Sequence, residues 1–145
     1  VETGAKVFLD RNYPSTLESV DQAEEEILRS AEEAGFDEDE RLNIGMAVRE
    51  CMVNAVVHGN RYNRNKLVHV AVWFLQAEPG AAEFTVRIAD EGEGFEVLDV
   101  PDPLAEPNLL RHSGRGLFLM GAFMDDVKVR KGEVGGTQVT LVKKK

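Results

Sequence analysis

A single cysteine, a single tryptophan and no long apolar run mark what this sequence goes without. With Cys51 alone, no internal disulfide can form. Without a run of membrane-spanning length or a signal-peptide pattern, the expectation is a cytoplasmic protein that makes no use of a membrane. Basic residues are also in deficit: 17 Lys and Arg stand against 26 Asp and Glu, a formal net charge of −9. That balance argues against direct nucleic-acid binding, which needs a basic footprint. There is no internal repeat and no low-complexity linker. What remains, 43% hydrophobic and 30% charged residues over 145 positions, is the composition of one globular domain spanning 1–145.

The most informative stretch runs from Met46 to Asn60. It is apolar nearly all the way round, as a buried helix is. Glu50, Asn54 and His58 interrupt it every four residues and so share one face. A carboxylate and an amide are costly in a core unless something pairs with them. The row therefore reads as one wall of a site, or as a polar stripe facing solvent. Gly59 then stops the helix. Cys51 lies beside Glu50 without a nucleophile's partner pattern, so it reads as a small core residue.

The rest of the chain alternates strands and helices. Val7 and Leu9 at period two give a short strand over Ala5 to Asp10, broken by Pro14. Ser15 and Glu18 have capping-box spacing ahead of a helix carrying Leu17, Val20, Ile27, Ala31 and Ala34, which Gly35 ends. Asp37 and Glu40 open the next helix in the same way, and that helix runs to His58. Asn60 to Asn65 is a polar loop. Leu67 to Gln76 and Ala82 to Ala89 then form an antiparallel hairpin across Glu78-Pro79-Gly80. Asp90 stands at the end of the second strand, before the loop Glu91-Gly92-Glu93-Gly94-Phe95. Residues 96 to 113 show little periodicity and read as a lid or loop. Gly114-Arg115-Gly116 opens a short apolar helix, and Val127 to Arg130 pairs with Thr137 to Val142 as a second hairpin. The expected class is α+β: a two-layer sandwich, its sheet mainly antiparallel or mixed, with helices on one face.

Three glycine-bearing elements bracket the irregular segment and the last hairpin: Asp90-x-Gly92-x-Gly94, Gly114-x-Gly116 and Gly135-Gly136-Thr137. Glycine permits close backbone approach to a ligand. A helix opening at Gly114–Gly116 offers free N–H groups to a phosphate, and Arg111, His112 and Arg115 add donors. The P-loop pattern is absent, and the Asp90 loop lacks the helix-opening third glycine of a dinucleotide fingerprint. Each element alone also fits a plain turn.

Taken in order, the array is Glu50-x-x-x-Asn54-Ala-x-x-His58-Gly59, then Asp90-x-Gly92-x-Gly94-Phe95, then Gly114-Arg115-Gly116-Leu117-x-x-Met120, then Gly136-Thr137. It resembles the ordered motifs of the GHKL ATPases, the superfamily of gyrase, heat-shock chaperones, histidine kinases and MutL. Within it, His58-Gly59-Asn60 and the run from Gly114 to Met120 are most similar to bacterial anti-sigma-factor serine/threonine kinases. The resemblance implies the Bergerat fold of histidine-kinase-like ATPases. It implies that Asp90 accepts from the adenine amino group with help from Thr137, and that Asn54 holds Mg²⁺. Glu50 would be the general base or water-positioning carboxylate. His58, Gly92, Gly94, Arg111, Gly114, Arg115, Gly116 and Leu117 would line the nucleotide, under an ATP lid at about 96–113. His69 reads as an ordinary strand residue.

The implied activity is ATP-dependent phosphorylation of a serine or threonine on an anti-anti-sigma partner, with a sigma factor as a further partner and a homodimer as the assembly. An ATP-switched binding protein without phosphoryl transfer and a small hydrolysing ATPase stay open as alternatives. A sensor histidine kinase is disfavoured, because no histidine precedes His58 to serve as a phospho-acceptor.

Overall fold

A computed structural model describes residues 4–78, 80–93, 120–132 and 135–145. Within them run β1 (Lys6–Pro14), α1 (Leu17–Glu33), α2 (Glu38–Val53), a π-turn (Asn54–Gly59), β2 (Leu67–Glu78), β3 (Ala81–Ala89), β4 (Asp126–Lys131) and β5 (Thr137–Lys144). The five strands form one sheet in the order β1-β2-β3-β5-β4, with every neighbouring pair antiparallel. The α+β two-layer class and both expected hairpins are therefore present.

Side-chain alternation sorts the sheet into two faces. Val68, Val70 and Val72 of β2, Phe84, Val86 and Ile88 of β3, and Val139 and Leu141 of β5 join a single core. From the helix layer, Val20, Ala23, Ile27 and Ala31 of α1 pack onto it with Ile44, Ala47, Val48, Cys51 and Met52 of α2. Met120 and Met124, at and just after the helical residues 120–123, are buried in the same core. The other sheet face carries His69, Trp73, Arg87, Gln138 and Thr140, all half-buried, with the Arg87 guanidinium over the Trp73 ring.

Local signals succeed where a helix end depends on its own residues. Asp37 and Glu40 form a reciprocal capping box: Glu40 N donates to Asp37 Oδ1 at 2.8 Å, and Asp37 N donates to Glu40 Oε1 at 3.1 Å. The start of α1 departs from expectation. Its cap is Thr16, whose hydroxyl accepts from Ser19 N. Ser15 is buried and used elsewhere: its Oγ donates to Lys66 O at 2.6 Å and accepts from Asn60 Nδ2 at 2.9 Å. Leu17, which shares the helical spacing of the core positions, is exposed at the first residue of the helix.

The central helix also departs from expectation. It is not buried all round, since Leu42 and Met46 are exposed along one flank. Nor does it run as one α-helix to His58. From Asn54 onward it widens into a π-turn, closed by Asn60 N donating to Ala55 O at 2.8 Å. Such turns sit at functional sites more often than chance. Beyond it, Arg61 and Tyr62 adopt positive φ values of 51° and 58°. Two consecutive non-glycine residues in that region cost energy that the surrounding bonds must offset. Tyr62 N donates to Val56 O, and Asn63 N to Asn60 O, both at 3.0 Å.

Candidate functional site

The end of the central helix, the loop after β3 and the start of β5 converge on one carboxylate, Asp90, which is 1% exposed. Asp90 N donates to Thr137 O at 3.1 Å, which ties the end of β3 to β5. In return, Asp90 Oδ1 accepts from Gly92 N at 2.9 Å and from Thr137 N at 3.3 Å. Oδ2 has no hydrogen-bond partner among the described residues. Burial pushes the Asp90 carboxyl above the usual range, and the donations from Gly92 and Thr137 only partly oppose it. A carboxylate oxygen of a buried residue, unpartnered among the described residues, suits a neutral N–H donor arriving from a ligand.

Glycines make room for that carboxylate. A methyl on Gly59 would stand 2.4 Å from Asp90 Oδ2, and one on Gly136 would stand 2.5 Å from Oδ1. A methyl on Gly92 would meet Gly59 O at 2.0 Å. The sequence marks Gly92 as a site residue, and the structure adds Gly59 and Gly136 to the same enclosure. Their signal was present as adjacency to His58 and Thr137, but both read as turn residues.

The helix supplies the next groups. Asn54 opens the π-turn, is 2% exposed, and its Oδ1 is buried without a hydrogen-bond partner among the described residues. A buried amide oxygen of that kind is a ready ligand for a hard cation. Glu50, one turn earlier, is half-buried, with Oε1 shielded from solvent. Cys51 lies within electrostatic reach of both Glu50 and Asp90, and burial with those charges pushes its thiol far up. It is an inert core residue, as expected. His58 does not share the burial of Asn54; near the end of the widened turn it is exposed. The expected row thus grades from half-buried Glu50 through buried Asn54 to exposed His58.

Among the described residues no cluster of three or more His, Cys, Asp and Glu could hold a metal unaided. A cation here would rely on few protein ligands. The expected site residues Gly94, Arg111, Gly114, Arg115, Gly116 and Leu117, with the lid at about 96–113, lie outside the described residues.

His69 departs from the ordinary strand role expected of it. Its Nδ1 meets Asn12 Oδ1 and its Nε2 meets Glu91 Oε2, each at 2.5 Å. Glu91 Oε1 accepts from Leu67 N at 2.9 Å, which with His69 holds the Glu91 carboxyl below the usual range. A cavity of about 220 Å³ on the same sheet face reaches Asp90 and is lined by His69, Arg87, Arg130 and Gln138.

No helix among the described residues is long and apolar enough to cross a membrane. Comparison with known proteins bears on the whole arrangement. A model of the histidine kinase-like ATPase domain matches residues 13–143. The anti-sigma F factor of Priestia megaterium is 35% identical over 108 residues, covering 72% of this chain and 70% of the relative. That of Clostridium acetobutylicum is 34% identical over 105 residues, covering 70% and 68%, and that of Heyndrickxia coagulans 33% over 108, covering 72% and 70%. The match runs from Tyr13 in β1 through Lys143 in β5, so it takes in Asn54, the glycines around Asp90, and Thr137 together. On that extent of agreement, the chain belongs to the histidine kinase-like ATPase domain family.

Proposed function

We propose that this chain is an ATP-dependent protein serine/threonine kinase of the anti-sigma-factor type, acting as one domain on an anti-anti-sigma partner in the cytoplasm and also binding a sigma factor. The observation that carries the nucleotide reading is the buried Asp90, inside a glycine enclosure with its Oδ2 unpartnered among the described residues. An adenine amino group is such a donor, and Thr137 beside it assists. The protein-kinase reading rests on the family, on the names of the relatives and on the motif resemblance.

The chain's own groups divide the work. Asp90 selects and orients the base. Asn54, through an Oδ1 unpartnered among the described residues, fits Mg²⁺, which would keep most of its coordination for water and phosphate. When bound, that ion would neutralise phosphate charge, the main requirement of phosphoryl transfer. Glu50, one turn from Asn54, takes the proton from the attacking hydroxyl or positions it. His58, Gly92, Gly94, Arg111, Gly114, Arg115, Gly116 and Leu117 complete the binding set, with 96–113 as the lid.

The test is incubation with γ-labelled ATP, Mg²⁺ and a candidate anti-anti-sigma protein, followed by phosphoamino-acid analysis. Label on serine or threonine of the partner is expected. Nucleotide-dependent binding without label would instead indicate a switch, and free phosphate alone a hydrolase; either overturns the kinase reading.

A further inference from the structure

Gly92 and Thr137 hold Asp90 directly, and a second network, built on Asn60, Glu91, Leu67, His69 and Asn12, holds the residue that follows it. The backbone of Glu91 donates to Asn60 Oδ1 at 2.8 Å. Asn60 is 2% exposed, and its Nδ2 donates to Ser15 Oγ at 2.9 Å and to Leu67 O at 3.0 Å. The Glu91 carboxylate then reaches back to Leu67 N through Oε1 and to His69 through Oε2, while His69 is held on its far side by Asn12. Residue 91 is thus tied to the exit of the π-turn, the start of β2 and, through His69, to β1.

The two neighbours of these residues are the ones in contact at the site. Gly59 precedes Asn60 and Asp90 precedes Glu91, and Gly59 is one of the two glycines, with Gly136, where an added methyl would strike the Asp90 carboxylate. The backbone bond from Glu91 to Asn60 and the carboxylate bonds to Leu67 and His69 together set the gap across which Gly59 meets Asp90. A loop anchor with no role at the site would not need to fix residue 91 through its backbone and both carboxylate oxygens. Loops usually tolerate freedom at such positions.

We infer that Glu91, locked by Asn60, Leu67 and His69, is a positioning residue that aims Asp90 Oδ2 at the exocyclic group of the nucleotide base and so sets base selectivity. The inference rests on the nucleotide reading above. Glu91 itself touches no ligand; its effect passes through Asp90.

The experiment compares the affinities of ATP and ITP for the full chain by calorimetry. ITP carries an oxygen where ATP carries the amino group, so Asp90 favours ATP only when correctly aimed. Wild type is expected to prefer ATP by roughly tenfold or more, the scale of one hydrogen bond to a charged group. If wild type binds both equally, the nucleotide reading itself fails. Given that preference, Glu91→Ala should weaken ATP roughly tenfold while ITP stays within about twofold. His69→Ala, which frees only Oε2, should erode the ratio less. Glu91→Gln, which keeps an acceptor for Leu67 N, should restore much of it. A variant that merely destabilises the fold lowers both affinities together. An ATP-to-ITP ratio unchanged in both Glu91→Ala and His69→Ala overturns the inference, whether or not either variant melts earlier.

Discussion

Gly59 and Asp90 are fitted to each other: a single methyl on Gly59 would stand 2.4 Å from both Cγ and Oδ2 of the Asp90 carboxylate. The close approach ties the end of the central helix to the loop after β3. It also explains why residue 59 is a glycine, since any side chain there would enter the carboxylate. Gly59→Ala must therefore displace Asp90 or the π-turn. The expected result is a loss of about 1–3 kcal/mol of stability, the usual scale of overpacking, together with roughly tenfold or greater loss of ATP affinity. Denaturant unfolding and calorimetry measure the two. Normal ATP affinity in a folded Gly59→Ala would separate Asp90 from the nucleotide.

The second prediction follows from the burial of Asp90. Its folded-state pKa is raised, because burial outweighs the donations from Gly92 and Thr137. Between the unfolded value and that raised value, the folded chain binds the proton more readily than the unfolded one. This group's contribution to stability therefore declines as pH rises through that window and stays at its lower level above it. Nucleotide binding runs the other way. The base donor needs the ionised oxygen, so ATP affinity should fall as pH drops through the raised pKa. Asp90→Asn should remove this pH dependence and weaken ATP by about 1.5–3 kcal/mol at neutral pH. A titration from about pH 7 to about pH 4 checks it, kept within the range where the fold holds. An unaltered pH profile in the variant would assign the titration to another group.

The third prediction separates binding from chemistry on the helix. Asn54 is buried with its Oδ1 unpartnered among the described residues, and Glu50 is half-buried one turn away. Asn54→Ala should abolish the part of ATP affinity that depends on Mg²⁺, seen by comparing titrations with Mg²⁺ and with EDTA. Glu50→Ala should keep that affinity and lose phosphoryl transfer by roughly 10²-fold or more. Transfer at the wild-type rate in Glu50→Ala would exclude it as the base.

How far these features are legible in sequence depends on how far their causes lie along the chain. The Asp37–Glu40 capping box spans three residues, and the sequence reading and structure agree on it. Ser15 has the same spacing to Glu18, but its hydroxyl is claimed by Lys66 and Asn60, 51 and 45 residues away, and no local pattern reveals that. The hairpins β2–β3 and β4–β5 follow from alternation and turn residues. The adjacency of β3 and β5, which brings Thr137 beside Asp90, does not, because the pairing closes over a long intervening segment. Polar residues at 50, 54 and 58 mark a helical face, yet three points at a spacing of four do not distinguish an α-turn from a π-turn. Asp90 and Asn54 were readable as candidates because their motifs are local. The network of Asn12, His69, Glu91 and Asn60 was not, since its partners come from β1, β2 and two loops.

The last prediction concerns where a protein substrate docks. Arg61 and Arg64 are exposed and form no ion pair with any described residue, in a chain of net charge −9. The turn that carries them leaves the π-turn directly, and its shape is fixed by Tyr62 N to Val56 O and Lys66 N to Asn63 O, each at 3.0 Å. A rigid turn beside the helix that bears Asn54 presents its charges in a constant place. The phosphate end of the site should open next to it, since a serine hydroxyl must come within about 3–3.5 Å of the γ-phosphate. An acidic partner would be steered to this turn. The double reversal Arg61→Glu and Arg64→Glu should slow partner association by roughly tenfold at low salt, and less as salt screens the field. Transfer should slow in parallel, while ATP affinity measured without partner stays at the wild-type value. Stopped-flow association at two salt concentrations, with single-turnover phosphorylation, gives all the quantities needed. Partner association and transfer that both survive the reversal at low salt would place the docking surface elsewhere on the molecule.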